Sequence, residues 1–141
     1  MTVKPSSRVR YALIGLVDLA LHQQTGPVTV ATIAKRQQIP ARYLEQLFNR
    51  LRRDGIVAAE RGPRGGYRLN RQPKEIPLSA VFRCLEESRE LVSAADPAAA
   101  VWEQVETAVQ TTLKATTLES LAAQAREKAP SAIRHLFTFH I

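Results

Sequence analysis

One stretch constrains the fold of this chain more than any other: Pro40 to Asp54, PARYLEQLFNRLRRD. Leu44, Leu47, Phe48 and Leu51 fall at i, i+3, i+4 and i+7, the spacing of one apolar face of an amphipathic helix. Arg42, Glu45, Gln46, Asn49 and Arg53 project together from the opposite face. A helix of this kind must bury its leucines on neighbours while holding a row of polar side chains outward. Arginine, glutamine, asparagine and glutamate are the types that bond base edges in a major groove, and one helix fits that groove. Pro40 suits a first helical turn, and Gly55 suits a helix C-terminus. A mixed-charge face alone is more often simply solvated, so the flanking segments decide the reading.

The flanks favour a polyanion. The 141 residues carry a formal net charge of +7 and a pI near 10.2, in the range of nucleic-acid binders. The charge is uneven: residues 1 to 75 hold fourteen Lys or Arg against five Asp or Glu, whereas residues 76 to 141 hold six against eight. The N-terminal half is therefore expected to meet DNA and the C-terminal half to do something else. With 45% hydrophobic and 23% charged residues, the chain is an ordinary globular protein of about one domain's length. Its single cysteine, Cys84, cannot form an internal disulfide and fits a reducing cytoplasm. The early apolar run, Tyr11 to Leu21, contains Asp18 and no small-residue cleavage site. It is also too short for a bilayer, so neither a signal peptide nor a membrane partner is expected.

Ahead of the central stretch, Leu13, Leu16, Val17, Ala20 and Leu21 mark a helix from Arg8 to about Gln24, closed by Gly26 and Pro27. Thr29 can cap a second helix, Val30 to Gln38. Two helices in tight succession, the second polar on its outer face, form a helix-turn-helix pattern. After Gly55 the period changes. Ile56–Glu60 and Tyr67–Asn70 read as short strands around Arg61-Gly62-Pro63-Arg64-Gly65-Gly66, a small hairpin with two arginines at its tip. An arginine-tipped hairpin beside a recognition-type helix reads as a wing, since narrow minor grooves attract inserted arginine. Residues 78 to 88 form another helix with Val81, Phe82 and Leu85 inward, and Ser88 to Pro97 reads as a linker or loop. A long helix follows from Ala98 to about Ala115, with Val101, Trp102, Val105, Val109 and Leu113 along one stripe. Thr117 caps a last helix to about Lys128, and the apolar tail Ala132 to Ile141 is expected to dock on something.

These residues carry a resemblance. Arg10-Tyr11-Ala12-Leu13, Gly26-Pro27-Val28, Tyr43-Leu44-Glu45-Gln46-Leu47, the hairpin run Arg61 to Tyr67 and Thr117-Leu118-Glu119-Ser120-Leu121 are similar to the Rrf2 superfamily of bacterial winged-helix regulators, the IscR, NsrR and CymR type. It extends over about residues 8 to 125. The resemblance implies a homodimer paired through the long helix near Trp102, with two recognition helices on a pseudo-palindromic operator. It gives Glu45 a base-reading role and Arg61 a minor-groove role. Pro40 and Arg42 depart from the small polar residues of several relatives, which leaves the operator sequence open. Iron–sulfur members carry three cysteines within the segment corresponding to Ser88–Ala100, and here that segment, SRELVSAADPAAA, has none. A thiolate-held cluster needs several cysteines, so no cofactor is expected. His22, His135 and His140 are dispersed and make no metal-ligand spacing.

The expected fold is mostly α: a winged helix-turn-helix domain over 1–88, a loop over 89–97, and a dimerisation helix with a C-terminal helical segment over 98–141. The expected function is a sequence-specific DNA-binding transcriptional regulator, a cluster-free repressor acting on double-stranded DNA as a homodimer. Arg42, Tyr43, Glu45, Gln46, Asn49, Arg50, Arg53, Arg61 and Arg64 are assigned to DNA. Val101, Trp102, Val105, Val109 and Leu113 are assigned to the dimer seam. Two alternatives stay open, a protein-interaction adaptor that kept the fold and a thiol sensor through Cys84, although a cysteine beside Phe82 and Leu85 reads first as a small buried apolar residue. The effector is open between a small molecule, a protein and oxidation of that thiol. No nucleophile–base pair, phosphate loop or carboxylate cluster marks an enzyme.

Overall fold

The computed structural model describes residues 6–86 and 93–128. Its first helix, α1 (Ser7–His22), starts where the Ser6 hydroxyl accepts from the Val9 amide. It is the central element: Val9, Ala12, Leu16, Val17 and Leu19 are fully buried, and α2, α3, α4 and α6 all pack on it. A single 3-10 turn, Gln23–Thr25, continues it where the sequence suggests unbroken helix. The expected cap at Thr29 is present, its hydroxyl accepting from Thr32 N–H at 3.1 Å, and α2 runs Val30–Gln37.

The turn into the central stretch is tight. Gln38 sits in the left-handed region at φ 57°, Ile39 N–H donates to the Ala34 carbonyl at 3.0 Å, and buried Ile39 pins the turn to the core. Helix α3 (Ala41–Arg53) follows with Pro40 at its N-cap, one residue earlier than the first-turn position expected for it. Leu44, Leu47, Phe48 and Leu51 are the residues it buries, as their spacing requires. Its end closes by Gly55 N–H to Arg52 carbonyl at 3.0 Å and Ile56 N–H to Leu51 carbonyl at 2.9 Å. Those two bonds form a Schellman cap, and the left-handed Gly55, at φ 76°, makes them possible.

The hairpin is antiparallel: β1 (Val57–Glu60) pairs with β2 (Gly66–Leu69), Val57 opposite Leu69 and Glu60 opposite Gly66. A further bridge, which the sequence does not announce, joins Val28 to Tyr67 by bonds of 2.9 and 2.7 Å and ties the wing to the start of α2. Gly66 makes it possible, because a Cβ there would lie 2.6 Å from the Val28 carbonyl carbon and its φ is 154°. A 3-10 turn, Pro73–Glu75, leads to α4 (Leu78–Leu85). Val81 and Leu85 point inward as expected; Phe82 is only half-buried, and Cys84 takes the inward position beside Leu85.

Part of the expected linker, residues 88–92, and the apolar tail with His135 and His140 lie outside the described residues. Helix α5 (Ala99–Ala115) packs on α4, and α6 (Leu118–Glu127) starts at the expected Thr117 cap. Leu118, Ala122 and Ala125 of α6 join the same apolar core as α1. Leu78 N–H donates to Thr116 carbonyl and Leu118 N–H to Ile76 carbonyl, both at 2.9 Å, so the α5–α6 junction is fastened to the front of α4.

Candidate nucleic-acid interface

The outward face of α3 consists of Arg42, Glu45, Gln46, Asn49, Arg52 and Arg53, all exposed. The hairpin that follows exposes Arg61 and Arg64 at its tip. Helix and hairpin are held as one piece. The Phe48 and Tyr67 rings meet edge to face at 5.2 Å, and Asn70 closes the hairpin's base, its amide N–H bonding Ile56 carbonyl and its side-chain Nδ2 bonding Gly55 carbonyl, each at 3.0 Å. The wing's third arginine, Arg68, is half-exposed and paired along the hairpin with Glu60, Nε to Oε1 at 2.7 Å.

Two residues assigned to DNA from sequence are engaged inside the protein. Tyr43 packs edge to face on Tyr11 at 5.4 Å, and burial pushes its phenol above the ordinary tyrosine range. Arg50 is half-buried and donates from Nη2 to the Cys84 carbonyl at 3.0 Å. A signal for both was present. At about 100° per residue, seven positions bring Arg50 to within roughly 20° of Tyr43, on the flank between the leucine stripe and the open face.

A functional support that sequence reasoning missed lies behind α2. Asp18, 1% exposed, accepts from Arg36 Nε at 2.9 Å, Arg36 Nη2 at 2.8 Å and Gln37 Nε2 at 2.8 Å. The Asp18 hydrogen bonds raise the Arg36 pKa further, so this is a charged pair that locks α2 against α1. The hint in the sequence is a lone aspartate inside the apolar run Tyr11 to Leu21.

The remaining candidate chemistry is at Cys84. Its thiol is buried, and desolvation, with the neighbouring Asp54 carboxylate adding to it, pushes the pKa up to about 12. Reactive cysteines sit in exposed, electropositive settings that lower the pKa, so this setting is the reverse. Among the described residues no group of three or more His, Cys, Asp or Glu could hold a metal ion. With one cysteine in the chain, and that one a protonated core thiol, the donors present do not fit an iron–sulfur cluster. On α5 no residue is buried; Val101 is 53% and Trp102 41% exposed, while Val105, Val109 and Leu113 are half-buried. No helix among the described residues is long and apolar enough to cross a membrane.

Comparison with known proteins agrees with this architecture. The chain is similar to the HTH-type transcriptional regulator IscR of Aliivibrio salmonicida (strain LFI1238), 50% identical over 86 residues, which are 61% of this chain and 51% of that protein. IscR of Serratia proteamaculans (strain 568) is 51% identical over 83 residues, 59% of this chain and 51% of that protein. The matched region thus spans about half the length of these curated relatives. Among solved structures, CymR (YrzC), the global cysteine regulator of B. subtilis, superposes with a TM-score of 0.78 at 35% identity, covering 87% of this chain and 98% of that one. IscR of T. potens gives 0.78 at 36% identity, covering 90% and 91%. These relatives are regulators, not enzymes. Residues 5–124 match the family described as Rrf2, iron-dependent transcriptional regulator, and the chain belongs to that family.

Proposed function

We propose that this regulator binds double-stranded DNA in the cytoplasm as a homodimer, reads a pseudo-palindromic operator, represses by occluding a promoter, and does so without an iron–sulfur cluster. The observation that carries the reading is the open face of α3, where Arg42, Glu45, Gln46, Asn49 and Arg53 are exposed while the leucines opposite are buried, beside a wing with Arg61 and Arg64 at its tip. Glu45 can accept from cytosine N4, Arg42 can read guanine or hold a phosphate, and Arg61 suits a narrow minor groove. Arg53 and Arg64 supply phosphate contacts that fix the register. The exposed Val101 and Trp102 of α5 support pairing of two chains through that helix. A small-molecule or protein effector would act by changing the dimer geometry.

The test is a titration of wild type, Glu45→Ala and Arg53→Ala against a selected duplex and a scrambled one at several salt concentrations. Glu45→Ala should relax preference at one position of each half-site, by about 1 to 3 kcal/mol. Arg53→Ala should weaken both duplexes about equally and flatten the salt dependence by about one unit. Half-sites should lie about one helical turn, or a multiple, apart. Equal binding of both duplexes by the wild type would refute sequence-specific recognition.

A further inference from the structure

The last turns of α3 grip another helix. Arg50 Nη2 donates to the Cys84 carbonyl at 3.0 Å, and Cys84 is one residue from the end of α4. The final carbonyls of a helix lack intrahelical partners and carry the negative end of its dipole, which is where a guanidinium is most favourable. At the C-cap of α3, the Asp54 carboxylate lies near the buried Cys84 thiol and favours its protonated form. Arg50 thus ties the last turns of α3 to the C-terminal end of α4. The other end of α4 is also held, by the paired bonds between residues 76–78 and 116–118 at the α5–α6 junction. Helix α4 packs on both α3 and α5. It is therefore a strut between the long exposed helix and the helix with the open polar face, fastened at both ends by hydrogen bonds.

We infer that Arg50 is a positioning residue for DNA recognition, setting the angle of α3 on the α4 strut, and not one of the phosphate contacts. The inference rests on the DNA-binding reading above. Phosphate contacts act on any sequence, whereas base contacts require the helix to sit at one depth and rotation in the groove. Loss of a positioning residue consequently removes selectivity and leaves the electrostatic attraction of the remaining arginines in place. Arginine suits the role better than lysine because its planar fork holds a fixed direction.

The experiment starts from a duplex that the wild type selects from random DNA, paired with its scrambled version. Wild type, Arg50→Gln, Arg50→Lys and Arg53→Gln are titrated on both over a range of salt, with thermal melts to confirm folding. Arg50→Gln should lose roughly tenfold on the selected duplex, the scale of one hydrogen bond to a charged group. Its affinity for the scrambled duplex and its salt slope, beyond the change in net charge at long range, should match the wild type. Arg53→Gln should weaken both duplexes and flatten the slope by about one unit. Equal losses on both duplexes with a flattened slope for Arg50→Gln would make Arg50 a phosphate contact and overturn the inference. Unchanged affinity for the selected duplex would overturn it too. If Arg50→Gln does not fold, Arg50→Lys decides: a positioning role requires loss on the selected duplex alone, a phosphate role requires both affinities to stay at the parent's level. Failure of the underlying reading shows separately, in a wild type that selects no sequence; the inference then falls with it.

Discussion

Asp18 offers the sharpest test of what holds the helix-turn-helix together. Its carboxylate is removed from water, its side chain 0% exposed, and three donors from α2 converge on it at 2.8 to 2.9 Å. In Asp18→Ala, Arg36, whose side chain is 27% exposed, can swing to solvent. Gln37 cannot: it is 3% exposed, and its Oε1 already lacks a protein partner, so both ends of the amide would be unsatisfied. Removing one member of a buried pair costs about 3 to 5 kcal/mol, and Arg36's access to water places this case near 3. Against a domain stability of about 5 to 15 kcal/mol that is a large fraction, and it corresponds to roughly 10 °C in melting temperature. Urea unfolding of the parent, Asp18→Ala, Arg36→Ala and the double variant checks this, with the double variant costing much less than the sum. A loss below about 1 kcal/mol for Asp18→Ala, or additive losses, would refute a buried network that locks α2.

Gly66→Ala should destabilise by at least about 2 kcal/mol, since the position combines positive φ with a Cβ 2.6 Å from Val28, and chemical denaturation with amide exchange at Val28 and Tyr67 reads it. Cys84 should resist alkylation until the protein unfolds. Its thiol titrates near 12 in the fold against an ordinary 9.0, so burial favours the protonated form. The stabilisation is full below about pH 9 and is lost as pH rises toward 12, a loss that Cys84→Ser should not show. Protein isolated without oxygen should be colourless, and stoichiometric iron and sulfide would contradict that. Sedimentation should give a homodimer at micromolar concentration, and Val105→Asp should weaken dimerisation and operator binding together.

The parts of this fold legible in the sequence are those governed by local rules. The leucine stripe of α3, the caps at Thr29 and Thr117, and the glycine-rich hairpin each follow from spacing or from one side chain's hydrogen bond, and each appears within a residue or two of its expected place. The unread parts are contacts across distance. Nothing local to Val28 announces a bridge to Tyr67, and nothing local to Asp18 names Arg36 and Gln37 as its partners. The candidate site divides the same way. Periodicity puts Arg53 on the open face of α3 and Arg50 on its flank, yet it cannot name Arg50's partner, because which carbonyl that arginine meets depends on where α4 ends.

The long helix completes the physical picture from the opposite direction. The core of the described chain closes without α5: α6 reaches back to α1, and Leu118, Ala122 and Ala125 fill the space beside it. Seventeen residues of helix are left with none buried, although Val101, Trp102, Val105, Val109 and Leu113 lie along them. In proteins most helical stability comes from packing of an apolar face rather than from propensity. Against a second copy, two-fold symmetry would bury each of these side chains twice, and full burial of a valine-sized residue is worth about 1.5 to 3 kcal/mol. Because α5 packs on α4, and α4 is fastened to α3 at Cys84, the spacing of two recognition helices in such a dimer would be set by one continuous run of helix contacts.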